Sequence, residues 1–245
     1  MNTYHTAQIA QLVRIHPNTV RLYEQWQLIP KPLRQANGYR IFTDVHLNQI
    51  SLARLALQGE ITQNGLRKEA VTIIKTSAAG DYPRAMRLAE GYLAHIIRER
   101  QYAKEAAEMA RQLLSSPPEA AASRGLTRKQ AADTLQLTID TIRNWEMNGL
   151  LTVRRKENGY RLYNEADIRT LKIIRSLRLA NYSLSAILRM TNALSGGMDI
   201  NVSEILDTPQ ETESIVSVCD RLLTSLAQLE QDARDIILLL EEMNV

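Results

Sequence analysis

Apolar residues recur every three or four positions along two long stretches of the chain, and this spacing predicts two long helices. We expect the first to run from Pro83 to about Leu114, and the second to begin at the capping pattern 208–211, TPQE. The steps follow the rhythm of a coiled-coil seam, which predicts antiparallel pairing of the helices, within one chain or between chains. The apolar positions are Ala85, Ala89, Tyr92, Ile96, Ala103, Ala106, Ala110 and Leu113, then Ile215, Val218, Leu222, Leu226, Leu229, Ala233, Ile236, Leu240 and Met243.

The chain also contains an internal repeat. The sequence TVRLYE at 19–24 matches TIRNWE at 141–146, and NGYRIF at 37–42 matches NGYRLY at 158–163. The offset falls from 122 residues in the first match to 121 in the second. A change of one residue belongs in a loop, so we interpret the matches as two copies of one folded unit of about 60 residues.

Each copy has the pattern of a helix, a tight turn and a second helix. Thr127 and Gln130 form a capping box in the second copy, and Thr138 is placed to cap its second helix. In the first copy, Pro17 after His16 suits the first position of a helix. Short strands are expected at 28–30 and 39–42 and, in the second copy, at 151–153 and 160–163. A helix-turn-helix followed by such a hairpin is typical of winged domains that place one helix in the DNA major groove.

Composition narrows the class of protein further. Hydrophobic residues make up 44% of the 245 residues and aromatic residues only 5%, which favours a folded and mainly helical chain. No run reaches the ~18 apolar residues of a membrane span, and Cys219 is the single cysteine, so we expect a cytoplasmic protein without a membrane partner. The four histidines are scattered, and no phosphate loop or nucleophile motif occurs. We therefore expect no enzyme activity, no cofactor and no metal.

The net charge of +3 hides an uneven distribution. Residues 1–58 hold six Lys and Arg against two Asp and Glu, and residues 124–181 hold twelve against six. Residues 199–245 hold two against eleven. The basic segments coincide with the two repeat copies, so we expect the copies, and not the acidic segment, to face a polyanion.

The motif R-x-aromatic-E, followed by Leu-Ile or Leu-Leu and then by N-G-Y-R-x-aromatic, resembles the DNA-binding domain of the MerR family of bacterial transcription regulators. The resemblance covers roughly 5–67 and 127–188. It implies binding to double-stranded DNA, an RNA polymerase partner at a promoter, and regulation by twisting and bending of the promoter spacer. Regulators of this family are homodimers with one such domain per chain, whereas this chain carries two.

The candidate DNA-binding residues lie on the second helix and on the wing of each copy. Arg21 and Arg143 are placed to clamp a phosphate or read guanine, unless they form solvent ion pairs with Glu24 and Glu146. For the two glutamates we expect internal pairing, and for Tyr23 and Trp145 a place in the core. The predicted site comprises Asn18, Thr19, Arg21, Leu22, Arg34, Tyr39 and Arg40, then Asp140, Thr141, Arg143, Asn144, Arg154, Arg155, Lys156, Tyr160 and Arg161.

The pattern predicts a mainly α protein with two winged helix-turn-helix domains, each followed by a long helix. We expect a sequence-specific transcription regulator that reads two half-sites, either as a pseudo-dimeric monomer or as a homodimer. An architectural or excisionase-like protein that bends DNA without an effector is the alternative, and a helical scaffold or drug-sequestering protein is a third class. The expected domains are 1–80 and 126–198 for the winged units, 81–114 for the first long helix, 115–125 for a linker, and 199–245 for the acidic segment with the second long helix.

Overall fold

The computed structural model describes residues 2–58, 65–115, 125–153, 161–195, 201–209 and 218–244. Within these ranges the chain is mainly helical and has one small sheet of three strands, which confirms the predicted class. The residues group into two compact units. One unit comprises Met1–Arg98 with Ser225–Val245, and the other comprises Glu99–Thr224. No helix in the described part of the chain is long and apolar enough to cross a membrane.

The first unit contains the first repeat copy together with parts of both long helices. Its strands form an antiparallel sheet in the order β1-β3-β2, with Leu33 opposite Ile41 and Arg34 opposite Arg40. Its elements are β1 (Thr3–Tyr4), α1 (Thr6–Leu12), α2 (Pro17–Gln25), β2 (Leu33–Arg34), β3 (Arg40–Thr43), α3 (Asp44–Gln58), α4 (Leu66–Ala78), the first half of α5 (Tyr82–Ser115) and most of α11 (Leu222–Met243).

The strand predicted at 28–30 is wrong, because the hairpin begins later, at Leu33. Leu28 is a core residue at the exit of α2, and both of its backbone groups are bonded away from the sheet. Its N–H donates to the Tyr23 carbonyl at 2.8 Å, and its carbonyl accepts from the Gln49 side chain at 2.9 Å. The same Gln49 amide donates to the Ile74 carbonyl, so it ties the exit of α2 to α3 and α4.

The second unit contains the second half of α5 and the second repeat copy. The predicted capping box of Thr127 with Gln130 is confirmed, as is the cap at Thr138. Residues 151–153 do not form the predicted strand, and the backbone of Tyr163 instead bridges Leu126. The elements are α6 (Arg128–Leu135), α7 (Ile139–Met147), α8 (Glu165–Leu179), α9 (Leu184–Ser195), α10 (Val202–Asp207) and a 3-10 helix (Val218–Arg221).

The repeat is also visible in the backbone. The turn between the first two helices of each copy holds one residue in the left-handed region, Arg14 at φ 53° and Gln136 at φ 52°. The residue two positions after α2 and α7 is left-handed as well, Gln27 at φ 58° and Gly149 at φ 76°. Two sequences that differ at most positions therefore fold into the same turns.

The buried stripes of the two long helices agree with the prediction, but the second long helix starts later than predicted. α5 has 34 residues, with its alanines at 85, 89, 103 and 110 fully buried. α11 begins at Leu222 and not at Thr208, whose backbone is extended. The Asp207 carboxylate accepts from the Leu223 and Thr224 N–H groups, at 2.7 and 3.1 Å, and thereby caps α11 where it begins. Ile215 and the side chain of Val218 lie outside the described residues.

Candidate nucleic-acid interface

The solvent face of α2 carries the predicted recognition residues of the first copy. Asn18, Arg21 and Leu22 are exposed and Thr19 is half-buried, because Val20 and Tyr23 turn into the core on the opposite face. The Arg21 Nη1 atom donates to the Asn18 Oδ1 atom at 2.6 Å. The guanidinium therefore points outward, held by a neighbour one turn earlier, and it is not the partner of Glu24.

The solvent face of α7 is the counterpart in the second copy. Asp140, Arg143 and Asn144 are exposed, and Thr141 is half-buried with its hydroxyl 2.7 Å from that of Thr138. The Asn144 Oδ1 atom accepts from the Asn148 amide at 3.1 Å. Arg143 has no ionic or hydrogen-bond partner among the described residues. Ile142 and Trp145 are buried, and the expected core position of the latter is confirmed.

Glu24 joins α2 to the hairpin of the first copy. The Arg40 Nε atom donates to the Glu24 Oε2 atom at 2.5 Å, and the Arg34 Nη2 atom lies 3.5 Å from the other carboxylate oxygen. The side chain of Glu24 is 14% exposed. The predicted internal pairing of Glu24 is confirmed, and two cations of the predicted DNA-binding set fix the angle between α2 and the hairpin.

Glu146 makes the corresponding contact in the second copy with more partners. It accepts from Arg128 Nη2 at 2.6 Å and from the Tyr163 hydroxyl, and Arg161 Nε lies 3.3 Å away. Its side chain is only 5% exposed. Burial and the hydrogen bond to Glu146 raise the pKa of Tyr163 to about 12, so the phenol remains a donor at neutral pH.

Sequence reasoning anticipated the pairing of Glu146 but missed Arg128 and Tyr163. In the repeat alignment these two residues stand opposite Thr6 and Phe42. The second copy thus has a cation and a phenol hydroxyl where the first copy has a threonine and a phenylalanine. This paired difference was the signal in the sequence that could have identified the partners of Glu146. It shows that the second copy holds its carboxylate more tightly than the first.

The tip of the first hairpin presents its aromatic residue to solvent. Tyr39 is 67% exposed, and its N–H donates to the Asn37 side chain at 3.1 Å. Gly38 sits at φ 84° in the turn, a conformation that side chains disfavour. In the second copy, the predicted site residues Arg154, Arg155, Lys156 and Tyr160 lie outside the described residues, and their role stays a prediction.

Two clefts flank α2 in the first unit. One, of about 580 Å³, lies between α1, α2 and the hairpin, and the other, of about 680 Å³, is lined by α2, the segment after it and the end of α4. Arg21 and Arg40 line both clefts, and Lys31 and Lys75 add charge to the second. Backbone phosphates are the ligands that such paired cationic clefts beside a recognition helix suit best.

Two family models match the chain. Residues 126–194 match the MerR HTH family regulatory protein, and residues 5–42 match the MerR family regulatory protein. Among curated proteins, the HTH-type transcriptional regulator CueR of Escherichia coli O6:H1 is 36% identical over 52 residues, or 21% of this chain and 38% of CueR. ZntR of Escherichia coli K12 is 33% identical over 88 residues, or 36% of this chain and 57% of ZntR.

A third relative is the HTH-type transcriptional regulator AdhR of Bacillus subtilis, 36% identical over 69 residues, which are 28% of this chain and 49% of AdhR. The matched segments therefore span between 38% and 57% of the length of these curated relatives. No solved structure matches the chain significantly. The two ranges matched by the family models each contain one of the helix-turn-helix patterns.

Proposed function

Since residues 5–42 and 126–194 match models of the MerR family, we propose that this protein is a sequence-specific, double-stranded DNA-binding transcription regulator with two reading heads in one chain. The observation that carries the proposal is the matched geometry of α2 and α7. Each helix exposes an arginine, Arg21 or Arg143, one turn after its start, and each is fixed to its wing region by a buried glutamate. Such a helix enters the major groove while the wing holds the backbone.

The chain segments that make up the two units support the proposal that one chain recognises two half-sites. The first unit takes its last helix from Ser225–Val245, and the second takes the later part of α5. Leu226, Leu229 and Leu240 are at most 3% exposed within the single chain. We infer that α5 and α11 pair antiparallel as a coiled coil, so that one chain builds the pseudo-dimer that relatives build from two.

Electrostatics in the first unit supports the same pairing. The pKa of Tyr92, on α5, is raised by burial first and then by the negative charges of Glu69 and Asp232. Asp232 belongs to α11, so this carboxylate lies near the middle of the buried stripe of α5. This acidic side chain therefore faces the helices of the first unit, which supports the proposed pairing of α5 with α11.

Distortion of promoter DNA for RNA polymerase is the mode of action that we propose for the chain. Two heads that belong to one chain and bind two half-sites together can impose a distortion on the spacer between those half-sites. An excisionase-like protein would bend DNA with the same heads and leave transcription unchanged. Transcription from the bound promoter in a purified system distinguishes the two functions.

Selection of bound sequences from random duplex DNA tests the proposal. We expect a motif with two parts, because α2 and α7 expose different side chains. Arg21→Ala and Arg143→Ala should each relax one part at a cost of roughly 1 to 3 kcal/mol. Lys104→Ala, an exposed site on α5, is the matched control and should leave the motif intact. Recovery of no motif from the wild-type chain would refute sequence-specific binding.

A further inference from the structure

The outward face of α4 carries two lysines that the sequence analysis did not place in the site. Lys68 and Lys75 are exposed and lie two helical turns apart, with Thr72 between them. They line a cleft of about 910 Å³ together with Arg67 and with Arg84 on the first turn of α5, so four cations face one lining acid, Asp81. Like charges at this spacing repel each other, so an anion in the cleft would relieve their repulsion.

This cationic surface is continuous with the recognition helix. Lys75 also lines the cleft beside α2, where Arg21, Lys31 and Arg40 supply the other cations. Glu24 is the acid of that cleft, and its carboxylate is already paired with Arg40. Neither Lys68 nor Lys75 has an ionic partner in the ranges that the structure describes. A row of cations thus extends from α2 to α4.

The second copy uses the corresponding position differently. Lys68 aligns with Arg189 of α9 at the offset of 121, and Arg189 is 8% exposed. Its Nε atom donates to the Ile205 carbonyl at 3.3 Å, and its Nη2 atom donates to the carbonyls of Leu206 and Asp220 at 3.4 and 3.0 Å. The cation is therefore held inside the protein, where it binds the end of α10.

α10 covers the face of α9 from which Arg189 projects. Val202 and Leu206 of α10 are buried, at 2% and 0% exposed, while Glu204 is exposed. An acidic helix on this face repels phosphate, and Lys75 aligns with a glycine, Gly196, in the second copy. In the described part of α9, the second copy accordingly has neither the open face nor a lysine that corresponds to Lys68.

We propose that the outward face of α4 is a third phosphate-binding surface, present in the first copy alone, so that the chain grips the duplex unequally. This inference rests on the proposed function. Its occupant is the DNA backbone flanking the half-site read by α2, because the cations of α4 continue those of the recognition cleft. The exposed Trp26, on the neighbouring cleft that Lys75 also lines, marks an acidic protein segment as the competing occupant.

The salt dependence of DNA affinity tests the number of contacts. For Lys68→Ala/Lys75→Ala, the slope of log affinity against log salt should become shallower by up to about 1.8, at ~0.9 for each phosphate. Alanine favours helix, so the variant should fold. Lys104→Ala removes an exposed lysine from α5 and should keep the wild-type slope. An unchanged slope in the double variant overturns the proposal and assigns the face to a protein partner.

Hydroxyl-radical footprinting of the selected duplex tests the asymmetry. The double variant should lose protection beside one half-site only, the one whose base preference relaxes in Arg21→Ala. Loss of protection beside both half-sites would overturn the one-sided surface. Wild-type binding with a two-part motif but no effect of the lysines would refute this inference and leave the proposed function standing. Absence of wild-type binding would refute both.

Discussion

The carboxylate of Glu146 is the most buried charge at the candidate interface, and its removal gives a measurable test of the brace between α7 and the second wing region. Glu146→Ala leaves Arg128 and Arg161 without their shared anion and leaves the Tyr163 hydroxyl without its acceptor. Breaking a fully buried ion pair costs roughly 3 to 5 kcal/mol. The two arginine side chains are 24% and 31% exposed and can be partly rehydrated.

We therefore expect Glu146→Ala to lower the free energy of unfolding by about 2 to 3 kcal/mol, below the fully buried limit. Glu24→Ala, the matched change in the first copy, should cost about 1 to 2 kcal/mol, because Arg34 is half exposed and only Arg40 makes a close pair. Glu146→Gln keeps the shape and one acceptor, so its effect should lie between that of Glu146→Ala and zero.

Tryptophan fluorescence during urea unfolding measures these changes separately. Trp26 belongs to the first copy and Trp145 to the second. A Trp26→Phe background leaves Trp145 as the reporter for Glu146→Ala, and a Trp145→Phe background leaves Trp26 as the reporter for Glu24→Ala. Trp145 is 5% exposed and should change its emission when the second unit opens. A loss below 1 kcal/mol in Glu146→Ala, or a larger loss in Glu24→Ala, would refute the reasoning.

Three further predictions concern strain, pH and charge. Gln27→Gly should stabilise the chain by about 0.5 to 1 kcal/mol and Gly149→Ala should destabilise it by about 1 kcal/mol, because both positions are left-handed; urea unfolding measures both. The raised pKa of Tyr163 predicts stability that is present below pH 10 and lost as pH rises from 10 to about 12, so Tyr163→Phe should flatten this loss in alkaline unfolding curves. Replacement of residues 154–156 (RRK) by alanine should reduce the salt slope of DNA binding by up to about three contacts, and an unchanged slope would contradict a phosphate role.

Local periodicity was sufficient for the elements whose burial pattern extends over many turns. The stripe of α5 repeats often enough to fix both the helix and its buried face, and the matched motifs located α2 and α7. These features depend on residues that are close in sequence. The internal pairing of Glu24 and Glu146 was predicted without its hydrogen-bond partners, which lie 16 to 18 residues away along the chain.

The features that were missed depend on contacts between distant residues. α10 has six residues, too few for a periodic signal, and it is held by Arg189 from another helix. The start of α11 depends on the Asp207 carboxylate, not on the local pattern at Thr208. The first hairpin begins late because Gln49, 21 residues away in sequence, takes the carbonyl of Leu28. The two partners of each contact lie at least 16 residues apart, so a short local sequence pattern does not reveal them.

The division of the chain into units has a consequence for its synthesis. Glu99–Thr224 is one continuous segment, so the second unit can fold as soon as it has left the ribosome. The first unit is complete only when Ser225–Val245 has been made, long after Arg98. At ~5 to 20 residues per second, synthesis of the 147 residues from Glu99 to Val245 takes roughly 7 to 29 s. During that time the first unit lacks its last segment, and it is the part of the chain that chaperones would protect.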